Sequence, residues 1–469
     1  MTTGPTTGRR LDLALLALIA VVLRLPAVLS TRHLSFDDGV YGATAVALRH
    51  GARPYRDVFS SQGPLHHPLL WIADWAGGRS DIGPRLLPLA AGVVITLAVY
   101  VVARGLADRR AGWIAALLVT TAGSILLVTT GTSGDGPAIA CALSAIAVAR
   151  SARHRPGWVR PVVAGLLIGC TLGVKLLAAP VVVPVGLILL ARRRTAQTVV
   201  AGLAAVAVPL VAAAPWGYSR VWDQSVRYHQ EARRYSVGSA AWRMLSTLAT
   251  RDVLVTVTVV VVVVAALAAR RHWHQPATPR WTLPGTALGA WLAAQVVFLL
   301  VESAMWLPHV SELVAPLCLL AALRLPRTRV LVAPWVLGAV VWAASDWRIV
   351  RPGFYDRGTP ERFVVERVGG CPDGWIVTDE PGLAWRAGEG VPWSMVDTSI
   401  KQFDQGRITE ATVLHAARDP RSSAVIVTDP HRLGRWPDLP DRLGELGYRT
   451  VADRGGIRVL VRGCTPHPG

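Results

Sequence analysis

Lysine is nearly missing from this sequence: of 49 basic residues only Lys175 and Lys401 are lysine. An arginine bias of that size reflects a GC-rich genome rather than chemistry, and no function is read from it. Charge of any kind is also scarce, at 17% of 469 residues against 52% hydrophobic, with a mean hydropathy of +0.39. A soluble chain of this length would form two or three domains with more charge, so a soluble enzyme is excluded as the whole answer. A basic face is lacking too. The net charge of +19 would in isolation suit a nucleic-acid binder. Here the arginines sit in small clusters at the ends of apolar runs, where they meet anionic lipid headgroups, and no nucleic-acid partner is expected. The five cysteines have no spacing that resembles a zinc site.

What is present is a series of apolar runs. The first, residues 11–29, lacks the small-x-small cleavage site of a signal peptide and reads as an uncleaved span. Further runs follow at 85–103, 111–129, 137–149, 161–173, 176–190, 198–215, 253–269, 283–301, 310–323 and 330–344. The expected fold is therefore mainly α: a polytopic membrane protein of about eleven spans at ~20 residues each. The short basic loops at 104–110, 150–160, 192–194, 270–280 and 324–329 fall on the side of the N-terminus, which the positive-inside rule makes cytoplasmic. The opposite face receives the long loop 30–84, the loops 131–136, 216–251 and 302–308, and everything after Trp347. Chemistry is expected on that outer face of the cytoplasmic membrane.

Residues 348–469 change character. Apolar runs shrink to strand length, and Trp375-Ile376-Val377-Thr378-Asp379 is nearly repeated as Val425-Ile426-Val427-Thr428-Asp429. With a third run at 457–461 and helical patterns at 409–418 and 439–446, this segment is expected to be a small extracytoplasmic α/β domain, following a membrane domain over 1–347. Cys141, Cys170 and Cys318 lie inside apolar runs, where packing is their default role. Cys371 and Cys464 flank the expected sheet and are candidates for a disulfide in an oxidising compartment.

The candidate chemistry begins directly after the first span, in Phe36-Asp37-Asp38-Gly39-Val40-Tyr41. Two adjacent carboxylates at the membrane boundary suit general-base work, because a boundary position and a like-charged neighbour both raise a carboxyl pKa; one of them could instead only cap a helix. Asp135, just before the Pro137 that opens the fourth span, is a third outer carboxylate or, equally, a helix cap. Downstream, Arg56, Gln62, His66 and His67 offer hydrogen-bond donors to a phosphate or sugar within a Gly/Pro-shaped loop, or else face lipid headgroups. Lys175 sits between two short apolar pieces, as a counter-charge for an anionic headgroup or as a snorkelling side chain. His309 is a further candidate donor, while Glu302 suits a cap or loop role.

These motifs together resemble the C-type glycosyltransferase superfamily, nearest to the protein mannosyltransferase and lipid A aminoarabinose transferase branch of bacterial membrane enzymes. The resemblance rests on the acidic pair in D-D-G-V-Y, the run G-x-x-P-Y-R-D-V-F-x-x-Q-G-P-L, Asp-x-Pro in the next outer loop, a lysine after the fifth span and a trailing outer domain. It implies an inverting transferase moving a sugar from a polyprenyl-phosphate donor to an envelope glycan, lipid or protein. It further implies Asp37 as catalytic carboxylate with Asp38 and Asp135 as acidic partners, and Lys175, His309, Arg56 and Gln62 around the donor phosphate. Tyr41, His66 and His67 then fall to the sugar or acceptor. Where family members often carry lysine before Pro-Pro, this chain has Gln62-Gly63-Pro64, so a lysine contact to phosphate is not expected there. No metal motif is present; the acidic outer loops could share a divalent cation weakly, and no other cofactor is expected. The competing function is a multi-span transporter or lipid flippase, against which the chain shows no internal repeat.

Overall fold

The computed structural model describes residues 5–152, 157–191, 195–232, 235–271, 283–302, 305–325, 338, 340–342, 364, 368 and 374–463. Apolar composition on nearly every face makes the first two thirds of the chain helical and drives the helices together. They are α1 (Pro5–Val28), α2 (Phe36–Arg49), α3 (His66–Ala76), α4 (Leu86–Leu106), α5 (Arg109–Thr121), α6 (Gly123–Thr130), α7 (Asp135–Ala152), α8 (Val159–Val174), α9 (Val182–Leu190) and α10 (Thr195–Ala213). After two short helices, α11 (Tyr218–Trp222) and α12 (Tyr228–Gln230), come α13 (Val237–Arg251), α14 (Val253–Arg271), α15 (Leu283–Val301) and α16 (Ser311–Arg324).

Small residues allow close approach in the bundle, as expected where lipid rather than water surrounds it. A Cβ on Gly165 of α8 would lie 2.2 Å from the Ala201 carbonyl of α10. The opposite face of α10 stays apolar and open, with Val199 55% and Leu203 65% exposed. Such a face is stable against hydrocarbon and costly against water.

Among the described residues four helical stretches are long and apolar enough to cross a membrane, at Gly8–Val28, Gly83–Leu106, Thr195–Trp216 and Leu307–Arg324. Two bent pairs bring the number to six if each counts as one span, and three shorter apolar helices accompany them. The chain is thus a multi-pass membrane protein, and the expected count of about eleven is not reached by this measure. Run 111–129 was expected as one straight span, yet the chain turns by 63° at Ala122. The cause lies far along the chain: Asp252, itself at a 104° break between α13 and α14, accepts hydrogen bonds from the Ser124 backbone N–H at 2.9 Å and Oγ at 2.6 Å, capping α6. Run 176–190 begins as a 3-10 turn over Leu176–Val181, and α13 occupies a segment read as loop. Run 330–344 and the boundary at 347 lie largely or wholly outside the described residues, as do Cys371 and Cys464.

The C-terminal part is a four-stranded sheet, β1 (Trp375–Thr378), β2 (Ser422–Val427), β3 (Arg449–Arg454) and β4 (Ile457–Val461), in the order β1-β2-β4-β3. The near-repeated segments are neighbours, β1 and β2 pairing in parallel with Thr378 opposite Ile426. Their Asp termini also meet: Asp379 accepts from the Thr428 N–H and Oγ at 2.9 Å and from the Asp429 N–H at 3.0 Å. β3, not anticipated, forms a hairpin with β4 through Gly455 and Gly456, both at positive φ (62° and 80°), as a tight hairpin turn requires. Helices α17 (Pro381–Arg386), α18 (Ile400–Asp404), α19 (Glu410–Arg418) and α20 (Leu439–Glu445) complete this unit, the last two close to expectation. α17 docks on α2, where Gly39 and Gly42 leave room for Gly382 and Trp385.

Candidate active site

The docking of the C-terminal unit on α2 closes a cavity of about 370 Å³. Its walls come from every outer segment: Asp37 and Tyr41 on α2, Gln62 in the first loop, Ser133 in the second, Tyr228 and His229 in the third, Trp306 and His309 before α16, and Asp397 and Lys401 from the C-terminal unit. Loops that charge bias alone assigned to one face therefore converge on one space.

Asp37 and Asp38 are adjacent in sequence and opposite in role. Ser35 caps α2 by accepting from the Asp38 N–H at 3.2 Å, which fixes the first turn. Helical geometry then turns the two side chains about 100° apart. Asp38 points inward and is fully buried. Its carboxylate accepts from Arg85 at 2.6 Å, the Thr132 N–H at 2.7 Å and the Leu34 N–H at 2.9 Å, so it ties the first outer loop to the second. Burial opposes ionisation of Asp38, but the Arg85 guanidinium and these donors hold its pKa below the ordinary value. Asp38 is not among the cavity-lining residues.

Asp37 is half-buried and lines the cavity. Burial raises its pKa; Lys175, His309 and Lys401 draw it down and Asp135 pushes it up. Lys175 breaks the chain between α8 and the turn before α9, and its Nζ donates to Asp135 Oδ2 at 2.7 Å. Asp135 is fully buried and its Oδ1 has no partner among the described residues. The resulting arrangement is a carboxylate facing the cavity beside a lysine that a second carboxylate keeps charged and in place.

The first loop is held by its backbone. Gly63 N–H donates to the Val174 carbonyl at 2.9 Å, and a Cβ on Gly63 would lie 2.3 Å from the Gly173 oxygen. The Gln62 carbonyl accepts from Tyr55 Oη and Ser225 Oγ, both at 2.7 Å, with Tyr55 itself at a left-handed φ of 63°. Gln62 thereby reaches the cavity with its Oε1 unpartnered among the described residues.

The remaining candidates divide. His309 lines the cavity, with Nδ1 3.2 Å from Glu302 Oε2, and Tyr41 lines it as well. His66 and His67 are fully buried in α3 and do not line it. His66 packs edge-on to Tyr41 at 4.5 Å, His67 Nδ1 lies 3.3 Å from Ser60 Oγ, and burial lowers the pKa of His67 to about 4. Both rings are thus neutral packing elements behind the wall. Arg56 is exposed and does not line the cavity.

Several lining residues were not singled out as site residues from the sequence. Tyr228 Oη lies 2.7 Å from Ser399 Oγ, and His229 Nε2 donates to the Ser61 carbonyl at 2.9 Å. Asp397, accepting from the Ser399 N–H at 3.0 Å, has its pKa pushed up to about 6 by burial. Lys401 could have been found: the only two lysines in the chain face the same cavity. Among the described residues no three His, Cys, Asp or Glu side chains converge as a metal site would need.

Residues 61–218 match a family model described as dolichyl-phosphate-mannose-protein mannosyltransferase. A comparison with curated protein sequences finds no match. Among solved structures the chain is similar to ArnT from Cupriavidus metallidurans bound to undecaprenyl phosphate, with a TM-score of 0.65 and 14% identity over 97% of this chain and 98% of that one. It is similar to the Archaeoglobus fulgidus oligosaccharyltransferase in complex with zinc and sulfate, with a TM-score of 0.52 and 16% identity over 93% and 71%. The oligosaccharyltransferase AglB from Archaeoglobus fulgidus, in complex with an inhibitory peptide and a dolichol-phosphate, gives 0.53 and 14% over 98% and 74%.

Proposed function

We propose that this chain is a C-type glycosyltransferase that catalyses inverting transfer of a sugar from a polyprenyl-phosphate carrier to a cell-envelope acceptor. The observation that carries this reading is that Asp37 and Lys175 line the same cavity and interact electrostatically, with the ammonium held at 2.7 Å by Asp135. Asp37 takes the proton of the acceptor hydroxyl, and the freed oxygen attacks the anomeric carbon. The bond from that carbon to the phosphate oxygen breaks on the opposite face, and the electron pair leaves with the lipid phosphate. Lys175 and His309 stabilise the charge that develops there. Asp135 positions Lys175, and Asp38 positions α2 through Arg85 and Thr132.

Further support comes from the solved structures of like fold, one with undecaprenyl phosphate bound and one with a dolichol-phosphate. The site faces the outer side of the cytoplasmic membrane in this reading, because the basic loops lie on the other side. A divalent cation shared by the two acidic loops would lie against the Lys175 ammonium at Asp135, so no step is routed through one. The test is incorporation of labelled sugar from polyprenyl-phosphate-sugar pools into envelope material, comparing membranes with wild type and with Asp37→Asn. Transfer by the wild type and its loss in Asp37→Asn is the expected result; equal transfer by both would remove Asp37 from the role of base.

A further inference from the structure

A second cavity of about 1120 Å³ adjoins the first on the side of the C-terminal unit, and Trp306, Ile400 and Lys401 line both. The outer cavity is edged by Tyr235, Asp404, Gln405 and Arg435, a mixture of an aromatic face and hydrogen-bonding groups. Lys401 therefore stands at the joint between the two spaces.

The cations lining the inner cavity are differently matched. Lys175 is 2.7 Å from Asp135, and Arg432 is 3.0 Å from Asp429 and 3.2 Å from Glu380. Lys401 has one polar contact among the described residues, with His229 Nδ1 at 3.5 Å. His229 uses its Nε2–H on the Ser61 carbonyl, and burial holds its pKa at about 4, so the ring is neutral and offers no counter-charge. The Lys401 ammonium also lies over aromatic faces, Tyr228 at 5.7 Å and Trp306 at 6.0 Å. Burial lowers the Lys401 pKa and Lys175 adds to this, while Glu302, Asp397 and Asp37, none of them within ion-pair distance, partly offset it. An enclosed cation that lacks a carboxylate within ion-pair distance is stabilised by an anion brought to it.

We propose that Lys401 is an anion-binding residue at this joint, where its ammonium takes a phosphate or carboxylate oxygen of a ligand lying across the two cavities. The C-terminal unit then supplies part of the binding site and does more than cover it. The anion has two sources: the carrier phosphate reaching outward from the inner cavity, or an acidic group on an acceptor entering through the outer one. Only the naming of these two ligands rests on the transferase reading; the anion contact stands apart from it.

The experiment uses the full chain in detergent and measures equilibrium binding of two charged probes, a short-chain polyprenyl monophosphate and a uronic-acid oligosaccharide. The uncharged prenol and a neutral oligosaccharide of equal length are the controls. Lys401→Met is expected to weaken one charged probe by about tenfold or more, the scale of one charge-assisted hydrogen bond, with its control unchanged. Lys401→Arg is expected to keep most of that affinity. Loss confined to the prenyl phosphate assigns the anion to the donor, and loss confined to the uronate assigns it to the acceptor. Unchanged binding of both charged probes in Lys401→Met, or binding of neither by the wild type, overturns the proposal. Lys401→Gln replaces Lys401→Met where the latter does not purify as a monodisperse protein. Absence of sugar transfer in wild-type membranes would sink the transferase reading while leaving this binding result intact.

Discussion

The Arg85 guanidinium sits 2.6 Å from the Asp38 carboxylate with both side chains wholly buried, one residue away from the Asp37 that opens on the cavity. Removing one partner of a buried pair strands the other charge, at a cost of about 3–5 kcal/mol. Asp38→Ala and Arg85→Met are therefore expected to lower the thermal stability of the purified protein markedly, with loss of transfer as a consequence. Asp37→Asn is expected to abolish transfer with little change in melting temperature. Melting curves beside transfer assays separate the two; a stable, inactive Asp38→Ala would reverse the assignment.

The acid limb of the activity profile distinguishes the same two carboxylates independently. The base works ionised, so activity falls as pH drops through its pKa. Burial raises the Asp37 pKa from its ordinary value, whereas Arg85 and the neighbouring N–H donors outweigh burial and lower that of Asp38. A pH–rate profile is expected to bend at a pH above about 4, the unperturbed aspartate value. A limb lying below that value would point to Asp38.

The acidic motif was legible in the sequence because it lies at the end of a long apolar run, and the outer α/β unit because its strands are short and β-branched. The family resemblance singled out Asp37 as the catalytic carboxylate, but composition and spacing alone did not separate the two aspartates, since their orientation depends on the Arg85 and Thr132 contacts, 47 and 94 residues away in sequence. His66 and His67 read as donors from their loop composition, but the start of α3 buries them behind Tyr41 and Tyr55. The bend at Ala122 leaves no mark in the hydropathy of its run, because its cause, Asp252, is 128 residues beyond Ser124. Lys401 carried a signal in its rarity alone, and rarity acquires meaning only once the fold brings both lysines to one wall.

The two glycines of the first-loop motif answer to the C-terminal unit. A Cβ on Gly42 would lie 2.2 Å from the Trp385 ring, and one on Gly39 would lie 2.6 Å from the Gly382 backbone. Backbone cannot yield as a side-chain tip can, so Gly39→Ala should force α17 away from α2. Overpacking of this kind costs about 1–3 kcal/mol. Gly39→Ala and Gly42→Ala are expected to make the C-terminal unit more open to limited proteolysis and to reduce transfer, with Asp37 untouched. Unaltered cleavage kinetics in both variants would contradict this docking.

Lys175 and Asp135 offer a test of whether charge or shape is needed at the inner wall. Lys175→Met leaves the Asp135 carboxylate buried without its 2.7 Å partner, and Asp135→Asn leaves the ammonium without its counter-charge. Each single variant is expected to lose stability on the scale of about 3–5 kcal/mol for a broken buried pair. Their combination removes both charges, so the double variant should recover most of that stability, a coupling that a double-mutant cycle measures directly. Transfer should not recover with it, because the ammonium assigned to the leaving phosphate is gone. A double variant that regains both stability and transfer would show that Lys175 serves only to neutralise Asp135, and would shift the phosphate contact to His309 or Lys401.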